Sequence, residues 1–126
     1  MVLTKIIIGV LIGGVLALVG YGIYDYTQPG KLDNFAQCIK DSGTIFYGAF
    51  WCPHCQNQKK LFGKSAKLLP YIECSLPNGQ GQNQNCNDKK IDNYPTWEFK
   101  DGSRQNGEVP LDKLAEKTSC ALPEPK

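Results

Sequence analysis

Cys52 and Cys55 stand at C-x-x-C spacing with Pro53 and His54 between them. They lie in a stretch, Thr44 to Leu61, that reads TIFYGAFWCPHCQNQKKL. It opens as an apolar, aromatic run and ends as a polar, helix-compatible one. A buried strand that delivers two cysteines to the start of a helix is a redox construction. The first cysteine falls where a helix presents unpaired backbone N–H groups and the positive end of its dipole. Both favour a thiolate, the form in which cysteine attacks. Pro53 suits a first helical turn, where it has no N–H to lose. A protonated His54 adds positive charge beside Cys52. Cys55 follows one turn later, within reach of a mixed disulfide formed at Cys52.

Each of these residues also has a plainer use. Cys52, Cys55, Cys74 and Cys86 are together enough for a four-thiolate zinc site. The Pro-His insert, the aromatic strand before it and Tyr94-Pro95-Thr96 further on favour redox chemistry instead. No metal and no organic cofactor is therefore expected. His54, the single histidine, would otherwise be an exposed residue without a role; its place between the cysteines favours tuning of Cys52. Trp51, Phe50, Tyr94 and Trp97 are candidates for an aromatic surface that holds substrate peptides. Core packing is the expectation for Phe50 and Trp97, which leaves Trp51 as the surface candidate.

A chain of 126 residues with 14 basic and 12 acidic side chains, net charge +2, is sized for one domain. Charges of both signs are interspersed, so nothing points to nucleic acid as a partner. Six cysteines, at 38, 52, 55, 74, 86 and 120, are many for this length. An even number suggests disulfides and an oxidising compartment.

The elements that must position the motif follow in order. Ile6 to Tyr24 is uncharged and apolar, long enough to nearly cross a hydrocarbon core of about 30 Å. A transmembrane anchor over 1–24 is expected. The alternative is a cleaved signal peptide, which the length of the run and the absence of a clean A-x-A site disfavour. Lys5 and Lys31 flank the segment and leave its orientation open by charge. The cysteine count decides it, placing the C-terminal domain outside the cytoplasm. Gly9 and Gly13 form a G-x-x-x-G, read as ordinary membrane-helix glycine rather than a dimerisation face.

Residues 25–31 form a linker broken by Pro29-Gly30. Leu32, Phe35, Ala36 and Ile39 mark one face of a helix that Ser42-Gly43 stops. Thr44 to Phe50 reads as a strand buried on both sides. The helix from Cys52 is expected to reach about Lys67, with Cys55, Phe62, Ala66 and Leu69 inward and Lys59, Lys60, Lys64 and Lys67 solvated. Pro70 ends it, and Tyr71 to Cys74 is a second strand. Ser75 to Asn85 is a loop bracketed by Cys74 and Cys86, followed by a helical turn over Asn87 to Ile91. Trp97 to Lys100 and Ser103 to Asn106 form a hairpin about Asp101-Gly102. Pro110 opens a last helix with Leu111, Leu114 and Ala115 inward. Residues 32–120 make the domain, and 121–126 a flexible tail.

This order of elements resembles the thioredoxin fold without its first strand: an α/β domain with a short central sheet of about four strands flanked by helices. It is most similar to the thioredoxin-like domain fused to bacterial and plant vitamin K epoxide reductase (VKOR) homologues. The residues that carry the likeness are Tyr47 to Cys55, Gln56 to Phe62, Tyr71-Ile72-Glu73-Cys74, Cys86 and Tyr94-Pro95-Thr96-Trp97. The resemblance covers roughly 32 to 118. It implies that Cys52 attacks and Cys55 resolves. It implies that Pro95 is a cis-proline against the active site, with the Tyr94 backbone offered to an extended substrate segment. It also implies a structural disulfide between Cys74 and Cys86, with an electron relay as the alternative role. Cys38 and Cys120 are then assigned to each other by elimination.

Two departures are visible. The four-helix VKOR bundle, with its quinone chemistry, is absent from this chain. Many thioredoxins place a buried acid six residues before the first cysteine, where this chain has Phe46. The expected function is therefore oxidation of substrate dithiols in proteins or peptides by a membrane-anchored extracytoplasmic (periplasmic, luminal or exterior) enzyme. A separate VKOR- or DsbB-like membrane quinone reductase would reoxidise it. Among C-x-x-C proteins a DsbA-type site, with Pro-His between its cysteines, sits near about −120 mV and thioredoxin near about −270 mV. This chain is expected on the oxidising side of thioredoxin. The alternatives are a disulfide reductase or isomerase, and a non-catalytic peptide-binding module.

Overall fold

A computed structural model describes residues 1–124 of the chain. Its first element, α1 (Val2–Thr27), is exposed along its whole length and is long and apolar enough to cross a membrane. It runs three residues into the expected linker, because no breaker occurs before Pro29. Lys64 ties its last turn to the domain: the ammonium lies 2.8 Å from the Asp25 carboxylate and donates to the Asp25 carbonyl at 2.7 Å.

The rest is a mixed α/β thioredoxin-like domain. Helix α2 (Asp33–Asp41) buries Phe35, Ala36 and Ile39, the stripe its periodicity requires. Ser42 caps its C-terminus, and Gly43 turns the chain at φ +82°, a value that favours glycine. Strand β1 (Ile45–Gly48) then enters the sheet. It pairs in parallel with β2 (Tyr71–Glu73) and antiparallel with β3 (Thr96–Glu98), and β4 (Arg104–Asn106) extends the other edge. The order is β2-β1-β3-β4. The strand that feeds the C-x-x-C is thus paired on both sides, as a run without polar alternation should be.

Side chains of β1 alternate between two cores. Phe46 stacks on Trp97, with centroids 4.5 Å apart, and meets Tyr71 edge-on at 5.2 Å. That core continues through α2, α3 (Pro53–Phe62) and α5 (Leu111–Thr118), and contains Cys52, Cys55, Phe62 and Leu114. Tyr47 points the other way, into a smaller core with Cys74, Cys86 and Ile91.

Several further boundaries differ from the sequence expectation. Helix α3 stops at Phe62 rather than near Lys67, because Gly63 leaves helical geometry at φ +52°. A tighter 3-10 segment continues over Gly63–Leu68. The short helix α4 (Gln84–Asp88) begins three residues earlier than expected because Asn83 caps it, its side chain accepting from Cys86 N–H. Strand β3 starts at Thr96 and ends at Glu98. Residues 121–124 carry no regular structure; the end of the expected tail, 125–126, lies outside the described residues.

Candidate active site

Cys52 is the N-cap residue of α3, in extended geometry at φ −77° and ψ 118°. Its Sγ accepts the backbone N–H of Cys55 at 3.3 Å. A sulfur at an N-cap does what a serine or aspartate oxygen does there, and a thiolate does it more strongly than a thiol. Pro53 occupies the first turn. The N–H of Cys52 itself is used by the Ala49 carbonyl at 3.0 Å, which fixes the bend between strand and helix. Cys52 keeps 4% of its surface exposed and Cys55 none. The opening at Cys52 is therefore narrower than the open thiol the motif suggests, and it is the only one of the pair.

Across the crease stands the Tyr94-Pro95 turn. This peptide bond is cis, and the Cys52 thiol faces the Tyr94 carbonyl oxygen at 3.7 Å. Pro95 is buried. The Tyr94 ring meets Trp51 edge-on at 6.0 Å, and its hydroxyl hydrogen-bonds Gln82. Trp51 is 52% exposed and donates from Nε1 to Ser75 Oγ at 2.9 Å. Trp97 is buried, as expected of a core residue. Phe50 is not: 49% of it is exposed. Strand β1 ends at Gly48, so the residues after Ala49 no longer alternate into the core. A β-carbon on Gly79 would lie 3.6 Å from Phe50 and 3.8 Å from Trp51. The loop after Cys74 thus backs the two exposed rings, and Phe50 joins Trp51 in an aromatic rim.

His54 is exposed and meets a partner 54 positions away. Its Nδ1 lies 2.7 Å from the Glu108 carboxylate, which also accepts from Asn57 Nδ2 at 3.1 Å. These donors hold the Glu108 carboxyl below its ordinary range. Glu108 is placed by its neighbour. The fully buried Gln58 accepts Val109 N–H at 2.6 Å and donates to the Val109 carbonyl at 3.0 Å. Trp97 Nε1 donates to the same Gln58 oxygen at 3.4 Å. Sequence reasoning missed both residues. Gln58 was within reach, since Cys55, Gln58 and Phe62 share one inward face of α3. Nothing local marks Glu108.

Cys55 sits beneath Cys52, against Gly48 and Tyr71. Burial, and then the hydrogen bond with Cys52, push its thiol up to about 12. The Tyr71 hydroxyl donates to Glu73 at 2.8 Å and is raised by burial and by that carboxylate. Lys59, expected on the solvated face, is half-buried over the Tyr71 ring at 3.4 Å.

The other four cysteines are joined in two bonds. Cys74 pairs with Cys86 across 12 positions and Cys38 with Cys120 across 82. With Cys74 and Cys86 bonded to each other, the four thiolates of a zinc site are not assembled. Cys52 and Cys55 are free.

The chain is 40% identical over 92 residues to a thiol-disulfide oxidoreductase, LTO1, of Arabidopsis thaliana. The match takes in 69% of this chain and 24% of the plant protein, so the chain spans about a quarter of its relative's length. No protein-family model matches the chain.

Proposed function

We propose that this chain is a membrane-anchored extracytoplasmic thiol–disulfide oxidoreductase that oxidises dithiols of proteins or peptides through a Cys52–Cys55 disulfide. The observation that carries the reading is the division of the cysteines. Four are spent in two disulfides, and the remaining two meet at the N-terminus of α3, where one has an opening to solvent. The plant relative is itself a thiol-disulfide oxidoreductase.

In the oxidised chain a substrate thiolate attacks Cys52, the more exposed sulfur. A bond forms between substrate and Cys52, and Cys55 leaves with the electron pair and takes a proton. A second substrate thiolate then attacks the substrate sulfur, expelling Cys52 as a thiolate. The Cys55 N–H and the helix N-terminus stabilise that charge, and a protonated His54 adds to it. The Tyr94 carbonyl and the Phe50–Trp51 rim are suited to hold an extended substrate segment beside Cys52.

Reoxidation is assigned to a VKOR- or DsbB-like membrane quinone reductase. Helix α1 would hold the domain near it and raise its effective concentration. Two disulfides in so short a chain suit an oxidising compartment. Replacement of Cys55 by Ala tests the reading. Substrates should accumulate as adducts on Cys52 that dithiothreitol releases, and their absence would sink it. In cells the wild-type pair should be mostly disulfide, with a potential above that of thioredoxin; a mostly dithiol pair would mean a reductase or isomerase.

A further inference from the structure

Lys59 follows Cys55 by four positions on α3, one turn on and on the same face. Its ammonium lies 3.4 Å from the centroid of Tyr71. That ring is pinned. Its hydroxyl donates to Glu73 Oε2 at 2.8 Å, and Glu73 Oε1 accepts the N–H groups of Phe50 and Ser75 at 3.2 and 2.9 Å. The ring edge also borders Cys55, because Gly48 has no side chain to separate them. A β-carbon on Gly48 would lie 2.9 Å from Cys55 Sγ, 2.8 Å from Tyr71 Cε2 and 3.4 Å from the Tyr71 hydroxyl oxygen. The charged groups around this point are Lys59 from α3 and Glu73 from β2. Lys67 stands on the rim of the shallow cleft that Lys59, Ala66, Leu69 and Tyr71 complete.

Resting on the oxidoreductase reading, we propose that Lys59 is the counter-charge for the Cys55 sulfur during thiol–disulfide exchange, held in place by Tyr71 and Glu73. When a substrate thiolate attacks Cys52, the Cys52–Cys55 bond breaks and its electron pair departs with Cys55. The substrate sulfur is oxidised and Cys55 is reduced. Negative charge builds on a sulfur that burial penalises, before a proton from water neutralises it. In the reverse direction the Cys55 thiolate attacks Cys52 of the mixed disulfide and expels the substrate thiolate. Both directions pass through the same partly charged Cys55. In the resting reduced chain at neutral pH Cys55 is a protonated thiol, as its upward shift requires, with Lys59 pulling the other way. Lys59 therefore acts on the transition state more than on either end state. It changes rates, not the equilibrium.

The full chain in detergent, with reduced and oxidised glutathione as the probe, separates these possibilities. Lys59→Met keeps the stem on Tyr71 and removes the charge. Disulfide opening and closing should both slow by about tenfold, the order expected when a partial charge on Cys55 faces one charge beyond contact distance at an effective dielectric constant of ~20. The equilibrium constant with glutathione should stay within about twofold, and Lys59→Arg should restore most of both rates. Tyr71→Phe should leave alkylation of Cys52 unchanged while slowing exchange less than Lys59→Met does. Unchanged rates in Lys59→Met would overturn the proposal. So would a loss that Arg does not restore, or a shifted equilibrium constant with only one rate altered. A wild-type chain that never exchanges with glutathione would instead overturn the oxidoreductase reading itself.

Discussion

Cys52 and Cys55 lie in the core on one side of β1, and Cys74 and Cys86 lie in the core on the other. Both pairs are within the sheet's reach, and both are shielded from water. Their surroundings differ in kind. The second pair has no exposed surface. It is wedged beside Tyr47 and Ile91, with Cys74 N–H given to the Gly48 carbonyl at 2.8 Å and Cys86 N–H to Asn83. The first pair is asymmetric. One sulfur is sealed; the other has an opening, a helix N-terminus aimed at it, a backbone carbonyl across from it and two exposed rings beside it. Burial is common to both pairs. Asymmetry of access and of local field is what sets Cys52 and Cys55 apart.

Three experiments bear on that contrast. The largest effect is expected from removing sulfurs. Cys52→Ser should abolish exchange with glutathione while leaving the fold intact. Replacing Cys74 and Cys86 by Ser together should leave exchange per folded molecule within about twofold, and should lower unfolding free energy in denaturant by roughly 3 kcal/mol for the 12-position loop. The longer Cys38–Cys120 loop should contribute roughly 4.5 kcal/mol by the same chain-entropy relation. Turnover that stops in the Cys74/Cys86 variant without loss of stability would make that pair a relay and erase the distinction.

A smaller effect follows from Cys55. Its thiol stands near 12 in the folded chain against a reference of 9.0, so above the reference value the unfolded chain binds fewer protons than the folded one. Stability of the reduced chain should therefore fall as pH rises from 9.0 toward 12. Tyr47 and Tyr71 are raised as well, and they add a loss of the same sign to both redox forms. The oxidised chain has no Cys55 thiol, so thermal midpoints of the two forms should diverge across this range. Parallel curves would mean that Cys55 is not sealed.

The smallest effect is at the exposed edge of the site. Glu108→Gln removes a negative charge 2.7 Å from His54. With that carboxylate gone, a positive charge on the ring acts on Cys52 unopposed and favours its thiolate. The disulfide should become more oxidising by about twofold in its equilibrium with glutathione. An opposite shift would mean that Glu108 acts by holding the ring rather than by its charge.

The elements near the motif were legible because they rest on local patterns. Phe35, Ala36 and Ile39 repeat at helical spacing, and Asp101-Gly102 turns the hairpin with Gly102 at φ +81°. The early stop of α3 was written in Gly63, whose positive φ only the structure displays. Phe50 was misjudged because an apolar side chain at a strand's end has no periodicity to place it. Lys59 was misjudged because its aromatic partner comes from a strand beyond the helix, and a lysine stem reaches whatever flat surface it finds.

By itself the sequence determined that a strand would deliver Cys52 and Cys55 to a helix start and that a long apolar helix would precede the domain. Both are local, resting on hydrophobic spacing and a proline at the first turn; the Tyr94-Pro95 turn was implied by family resemblance instead. Only the tertiary structure decided which sulfur keeps an opening, that Glu108 would meet His54 from 54 positions away, and that Gly48 would let Tyr71 and Cys55 share one gap. Those outcomes depend on where separate strands and loops meet once the sheet closes. No run of neighbouring residues encodes such a meeting point, because packing joins elements by surface and not by order along the chain.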